Sequence, residues 1–176
     1  MNFSVKLRIA LVLLLLGPVI FVEALAQEVP KDGFKILIFL DPECPISQAY
    51  ALTLRSLHTE YAPKGIVFLG VYDSAPLKRR DIRRFHRKYQ LPFSGVKDKN
   101  YAMAKQYDAT ITPEVVLVSK EGRVVYRGAI DNWYYALGKN RREPTEHYLK
   151  DAIEAVLEGN PVIRKQTQAV GCLMNR

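Results

Sequence analysis

Two cysteines, Cys44 and Cys172, are the residues of this chain best suited to covalent chemistry. Cys44 lies in the stretch DPECPIS, directly after an apolar run, and Pro45 follows it. Because proline is favoured at the first position of a helix, the pattern predicts that Cys44 stands where a strand ends and a helix begins. Unpaired backbone N–H groups at a helix start stabilise a thiolate, which lowers the pKa of a cysteine and makes it nucleophilic. The neighbouring Glu43 carboxylate acts in the opposite direction, and the sequence does not decide which effect prevails.

Ser47 occupies the position at which a C-x-x-C motif beginning at Cys44 would carry its second cysteine. A hydroxyl cannot resolve a mixed disulfide; it can only donate a hydrogen bond to the thiolate. If Cys44 reacts with a disulfide or a peroxide, another thiol must complete the cycle. Cys172 is the only other thiol of the chain, so it is the internal candidate for that step.

Thr112 and Pro113 open a second apolar run, EVVLVS. A proline at a strand entry is a plausible site for a cis peptide bond, because the sheet does not need a donor there. Most X-Pro bonds are trans, however. The Thr112-Pro113 pair is a candidate part of the site only because it lies downstream of the strand-Cys-Pro-helix unit around Cys44.

No other residues form a convincing site. His58, His86 and His147 lack the spacing of metal ligands, so we expect no metal. A Gly-rich phosphate loop and a Ser/His/Asp pattern are also missing from the sequence, so we expect no cofactor.

The first 26 residues have the layout of a secretory signal peptide. Lys6 and Arg8 precede an apolar run at residues 9–22, and Ala24-Leu25-Ala26 matches a signal peptidase site. The run is shorter than the ~20 residues of a spanning helix, so we expect cleavage after Ala26 and no stable membrane insertion afterwards. This predicts a periplasmic or secreted protein. The remaining 150 residues (176 minus 26) suffice for one domain.

Positive charge is concentrated in one segment of a chain whose net charge is +8. Seven lysines and arginines lie between Lys78 and Lys88. Export argues against a nucleic-acid partner. The segment therefore reads as the solvated face of a helix, open to attraction by an acidic partner or a membrane surface.

Apolar runs predict the elements that position these residues. Strands are expected at 34–40, 65–72, 114–119 and 123–126, and helices after Cys44, in the basic segment and near 145–158. This order predicts an α/β fold with a mixed central sheet flanked by helices, in one domain at 27–159. Residues 160–176 form an irregular tail that carries Cys172. The loop from Asp131 to Pro144 holds three aromatic residues and either flanks a site or covers the sheet edge.

The segments ECPIS, ITPEVVLVSKEGRVVYRG and KQTQAVGC together resemble the thioredoxin-like superfamily. More narrowly, the chain is similar to the peroxiredoxin-like (AhpC/TSA-type) redoxins of bacteria, over residues 34–172. The resemblance implies a thioredoxin-like fold, with Cys44 as nucleophile, Pro113 as the cis-proline beside it and Cys172 as resolving thiol. True peroxiredoxins carry Pro-x-x-x-Thr-x-x-Cys, and this chain has Leu37 and Asp41 in place of the proline and threonine.

Two functions follow from these observations. The first is an exported thiol-disulfide oxidoreductase or peroxiredoxin-like redoxin, in which Cys44 attacks and Cys172 or an external thiol resolves. Its partners would be a protein or small-molecule disulfide or thiol, or a peroxide, and an external thiol reductant. The alternative is a binding or structural module in which Cys44 and Cys172 form a permanent disulfide, worth ~4–5 kcal/mol in the chain-entropy model. A permanent disulfide needs neither a helix start followed by proline nor a Thr-Pro pair, so the placement favours the enzyme.

Overall fold

A computed structural model describes residues 33–72 and 77–174 of the chain. The predicted signal peptide, residues 1–26, lies outside the described residues. Within the described ranges, no helix is both long enough and apolar enough to cross a membrane.

A five-stranded mixed sheet, with strand order β3-β2-β1-β5-β6, forms the centre of the molecule. Its first three strands are parallel, and β5 and β6 run antiparallel to their neighbours. The five strands are β1 Lys35–Phe39, β2 Val67–Tyr72, β3 Ser94–Lys97, β5 Glu114–Val118 and β6 Val124–Gly128. All except β3 follow the apolar runs of the sequence. β3 was not predicted, because its sequence SGVK lacks an apolar pattern and forms a strand only by pairing with β2.

Helices lie on both faces of this sheet, as the predicted fold class requires. The described helices are α1 Pro45–Ala49, α2 Ala51–Tyr61, α3 Arg79–Tyr89, α4 Ala102–Gln106 and α5 Tyr148–Leu157. One apolar cluster joins Ile36 and Ile38 of β1 to α1, α2, α3 and α5. A second cluster joins Leu37 and Phe39 of the same strand to Ala104 of α4. Alternate residues of β1 thus serve opposite faces of the sheet.

Two short pairings complete the fold. β7 Tyr134–Ala136 and β8 Lys139–Asn140 form a hairpin within the loop at 131–144. β4 Ile111–Thr112 pairs with β9 Cys172–Leu173, which belongs to the tail. The tail is therefore docked onto the domain, although its sequence predicted only an irregular segment.

Candidate active site

Cys44 stands at the junction of β1 and α1, where the sequence predicted it. It is the N-cap residue of α1, and Pro45 occupies the first turn. The Cys44 carbonyl accepts a hydrogen bond from the backbone N–H of Gln48 at 3.0 Å, which closes the first helical turn. Cys44 is only 2% exposed, so its thiol lies beneath the surface of the free protein.

Ser47 lies one turn along α1 and is fully buried. Its hydroxyl oxygen accepts a hydrogen bond from the Asp41 backbone N–H at 3.3 Å. Both the hydroxyl and the backbone N–H of Ser47 also stabilise a negative charge on Cys44. The position that lacks a second thiol thus supplies two donors to the first one.

The Thr112–Pro113 peptide bond is cis and lies beside Cys44. The Cys44 thiol donates a hydrogen bond to the Thr112 carbonyl at 3.1 Å, across 68 residues of sequence. Thr112 and Pro113 are both buried. The two halves of the site predicted from sequence are therefore in direct contact.

Cys172 reaches this position because the tail pairs with β4. Thr112 and Cys172 are opposite partners in the β4–β9 pair. The Met174 backbone N–H donates to the Thr110 carbonyl at 2.9 Å. Gly171 permits the close approach, since a Cβ there would lie 2.1 Å from the Thr112 carbonyl oxygen. The thiols of Cys172 and Cys44 lie within hydrogen-bonding reach of each other, and both are free.

The rest of the tail is anchored to β6. The Arg127 backbone N–H donates to the Lys165 carbonyl, and the Thr167 N–H donates to the Arg127 carbonyl, each at 3.0 Å. The Thr167 hydroxyl lies 2.6 Å from the Tyr126 hydroxyl and accepts from the Ala129 N–H at 2.9 Å. These contacts fix the tail along the edge strand β6 and help to set the position of Cys172.

Hydrogen bonding makes Cys44 the more acidic of the two thiols. Burial disfavours its thiolate, but four donors outweigh burial and hold the pKa of Cys44 below the ordinary cysteine value. These donors are the Cys172 thiol, the Ser47 backbone N–H, the Cys172 backbone N–H and the Ser47 hydroxyl. The helix start accounts for part of this set, and the tail provides the rest.

The pKa of Cys172 moves in the opposite direction. Burial, the hydrogen bond to Cys44 and the negative charges of Cys44 and Asp41 raise the pKa of Cys172 to about 12. Of the two thiols, Cys44 is therefore the one that ionises first as the pH rises. This difference in acidity suits Cys44 as a nucleophile beside a second thiol that stays protonated.

A buried polar pair at the far end of α1 was not predicted from sequence. The Tyr50 hydroxyl donates to Asp131 Oδ1 at 2.6 Å, and the Trp133 backbone N–H donates to the same oxygen at 2.8 Å. Burial raises the pKa of Asp131, and these hydrogen bonds partly oppose that effect. The Trp133 and Tyr134 rings pack against the Tyr50 ring, with centroids 5.5 and 5.9 Å apart. The loop at 131–144 therefore buttresses the helix that carries Cys44, and its aromatic content was the available signal.

The histidines take structural positions. His58 packs against Phe68 and Phe93, and His86 Nε2 lies 2.8 Å from the Tyr72 hydroxyl. Among residues 33–72 and 77–174, no group of His, Cys, Asp and Glu side chains could hold a metal ion.

The chain matches one family model and is similar to several solved structures. A family model described as the AhpC/TSA family matches residues 24–127. A crystal structure of an uncharacterized conserved protein from Geobacillus kaustophilus is 26% identical, with a TM-score of 0.73 over 82% of this chain and 78% of that chain. A hypothetical protein from Sinorhizobium meliloti 1021 is also 26% identical, with a TM-score of 0.72 over 81% of this chain and 80% of that one.

A third solved structure is more distant. It is a putative thiol:disulfide interchange protein DsbE from Chlorobium tepidum, 20% identical, with a TM-score of 0.56 over 72% of this chain and 82% of that chain. At this identity the likeness concerns the fold, which is thioredoxin-like. No curated protein matches the chain.

Proposed function

Because the chain belongs to the AhpC/TSA family, we propose that it is an exported thiol-disulfide oxidoreductase with Cys44 as nucleophile and Cys172 as resolving thiol. Family membership supports a redox function. The observation that carries the mechanism is that both cysteines meet at Thr112: the Cys44 thiol donates to the Thr112 carbonyl, and Cys172 is the partner of Thr112 in the β4–β9 pair. The exported location rests on the signal-peptide pattern of residues 1–26.

The first step is attack by the Cys44 thiolate on a substrate disulfide. A bond forms between Cys44 Sγ and one substrate sulfur, the substrate S–S bond breaks, and the second substrate sulfur leaves as a thiolate that takes a proton from water. Since Cys44 is buried beneath the tail, β9 must lift from β4 before a bulky disulfide can reach it. β9 has two residues and can separate without unfolding the central sheet.

The second step uses Cys172. Once Cys44 is part of a mixed disulfide it carries no charge, so the hydrogen bond and charge that raised the pKa of Cys172 are lost. The returning Cys172 sulfur attacks Cys44 Sγ, releases the remaining substrate thiol, and passes its proton to that leaving sulfur. The substrate disulfide has gained two electrons, and the chain now holds a Cys44–Cys172 disulfide.

An external thiol reductant closes the cycle. Cys172 is the more exposed of the two sulfurs, so it is the accessible point of attack. Attack there expels Cys44, whose low pKa makes it the better leaving group. A second reductant thiol then releases Cys172 and restores the dithiol.

Reduction of a peroxide is the second candidate, and family membership favours it. The Cys44 thiolate would attack one peroxide oxygen and break the O–O bond, so that Cys44 becomes a sulfenic acid. The other oxygen takes a proton from solvent and leaves as an alcohol, or as water when the substrate is hydrogen peroxide. Cys172 would then condense with the sulfenic acid to form the disulfide, releasing water. Leu37 and Asp41 replace the proline and threonine of true peroxiredoxins. We therefore place disulfide exchange first.

Steady-state turnover of a model disulfide, with mass spectrometry of trapped adducts, tests the proposal. Cys44→Ser should abolish turnover. Cys172→Ser should react once, slow turnover at least about tenfold and accumulate a mixed disulfide on Cys44. Adding Ser47→Cys to Cys172→Ser should partly restore release, since it places a thiol one helical turn from Cys44.

Three outcomes would contradict this scheme. If Cys172→Ser turns over as fast as the parent chain, an external thiol resolves Cys44. Faster oxidation of Cys44 by peroxide than by any disulfide would favour the second candidate. A Cys44–Cys172 bond that resists a reducing glutathione buffer would favour the permanent-disulfide module instead.

A further inference from the structure

The outward side of α3 is a continuous positively charged surface, here called the cationic face. At 100° per residue, its members cover about half of the helix circumference. All of them are exposed. They are Arg79, Arg80, Arg83, Arg84, Arg87 and Lys88.

The opposite side of α3 holds the helix rigidly against the sheet. Ile82 and Phe85 are buried in the larger apolar cluster. The helix lies so close to β3 that a Cβ on Gly95 would come within 2.5 Å of His86 Nε2 and 2.8 Å of Ile82. The cationic face is thus presented outward as a fixed, convex surface.

Little of this charge is neutralised within the protein. Asp81 is the single acidic residue of α3, and it contacts Arg84 at 3.0 Å and Arg80 at 3.9 Å. In the described part of the chain, no salt bridge reaches Arg79, Arg83 or Arg87. A concentration of like charge on a rigid helix attracts anions, and multivalent anions most strongly.

The composition of the cationic face distinguishes between anionic partners. Specific protein interfaces combine arginine with aromatic anchors in a well-packed, desolvated centre, and the convex cationic face has no aromatic residue to form such a centre. Binding of single-stranded nucleic acid uses aromatic stacking platforms, which the face also lacks. A planar layer of phosphate headgroups needs neither, and each Lys or Arg near an anionic membrane surface adds to the attraction.

We propose that the cationic face of α3 docks on a bilayer of anionic phospholipids. The attachment is peripheral: the guanidinium and ammonium groups contact headgroup phosphates, and no part of α3 enters the hydrocarbon. This inference does not depend on the redox chemistry of Cys44. It places the protein at a membrane surface, whichever reaction the site catalyses.

Vesicle co-sedimentation of the full chain tests the proposal. The vesicles contain either phosphatidylcholine alone or equal parts of phosphatidylglycerol and phosphatidylcholine. Because every variant keeps residues 1–26, including Lys6 and Arg8, any contribution from that segment is the same in all variants, and the difference between variants measures the effect of the substituted cations. The variant Arg79→Gln, Arg83→Gln, Arg87→Gln removes three cations from the cationic face. The matched control Lys99→Gln, Lys105→Gln, Arg142→Gln removes the same charge from exposed positions elsewhere.

The parent chain should prefer anionic vesicles, and the preference should decline steeply as salt is raised. The α3 variant should lose at least about tenfold in partitioning to anionic vesicles, whereas the control should lose less than about threefold. Equal losses in both variants would show that net charge alone drives binding and would overturn the proposal. The proposal would also be overturned if the parent chain bound polyglutamate or duplex DNA more tightly than phosphatidylglycerol vesicles at the same salt concentration. Circular dichroism of both variants checks that the fold is retained.

Discussion

At the scale of single residues, the charge on Cys44 depends on donors from two parts of the chain that are far apart in sequence. Ser47 contributes its hydroxyl and its backbone N–H from within α1, and Cys172 contributes its thiol and backbone N–H from the tail. Burial opposes them. The acidity of Cys44 is therefore a property of the assembled site, and a helix start alone accounts for part of it.

Removing the side-chain donor of either segment should raise the pKa of Cys44, although the backbone N–H donors remain. A hydrogen bond to a charged group stabilises that charge, so Ser47→Ala and Cys172→Ala should each raise the pKa of Cys44 towards the ordinary cysteine value. The Cys44 thiolate fraction, and with it the alkylation rate, should then rise at higher pH than in the parent chain. The measurement is the alkylation rate of the Cys44 peptide against pH, followed by mass spectrometry in the reduced protein.

Ser56→Ala, an exposed serine-to-alanine change on α2, is the matched control and should leave the titration unchanged. An inflection at or above that of a free cysteine in the parent chain would contradict the idea of an activated nucleophile.

At the scale of elements, the β4–β9 pair decides whether the two thiols meet. β9 contains two residues, and its approach to β4 requires a residue without a side chain at position 171. Gly171 is not among the residues of positive φ, so its role is to leave space. The tail acts as both cover and thiol donor for Cys44.

Gly171→Ala should detach β9 while leaving the central sheet folded. The added methyl would lie 2.1 Å from the Thr112 carbonyl oxygen, and backbone on both sides of the contact cannot yield without separating the strands. We expect a bulky maleimide to label Cys44 at least about tenfold faster, because opening of the cover limits access. Gln168→Ala, an exposed tail substitution, should label at the parent rate. Unchanged labelling in Gly171→Ala would mean that β9 does not protect Cys44.

At the scale of the whole molecule, the Cys44–Cys172 pair connects the first strand-helix unit to the end of the chain. A disulfide there would close a loop of about 130 residues, and the chain-entropy model assigns such a loop ~4–5 kcal/mol of stabilisation. The reduced pair already makes favourable contacts in the folded state, which oxidation removes. A reactive thiol pair and a permanent disulfide therefore differ in how much oxidation increases the free energy of unfolding.

We expect the oxidised chain to resist urea more than the reduced chain, but by less than about 4 kcal/mol in the free energy of unfolding, because the hydrogen bonds of the reduced Cys44 thiol stabilise the reduced fold. Urea denaturation of both forms, with the disulfide state verified by mass spectrometry, measures the difference. Cys172→Ser should show no dependence on redox conditions. A difference at or above the full chain-entropy value would instead support the permanent-disulfide module.

The sequence by itself determined the α/β fold, four of the five central strands and the placement of Cys44 at a helix start. These features depend on local apolar patterns and on the preference of proline for the first helical turn, both of which can be read within a short window. The same residues also indicated that Ser47 could only donate a hydrogen bond and that Thr112–Pro113 would accompany Cys44.

Tertiary structure alone decided where Cys172 lies, how the Tyr50–Asp131 pair is buried and that SGVK forms an edge strand. Each depends on contacts between segments that are distant in sequence: 60 residues separate Thr112 from Cys172, and 81 separate Tyr50 from Asp131. Such contacts leave little periodic signal, because β9 and β3 are too short to show an apolar pattern and are stabilised by the strands they pair with. The opposite pKa shifts of the two thiols depend in part on that pairing: besides burial and the Ser47 donors, hydrogen bonding between the cysteines lowers the pKa of Cys44 and raises that of Cys172.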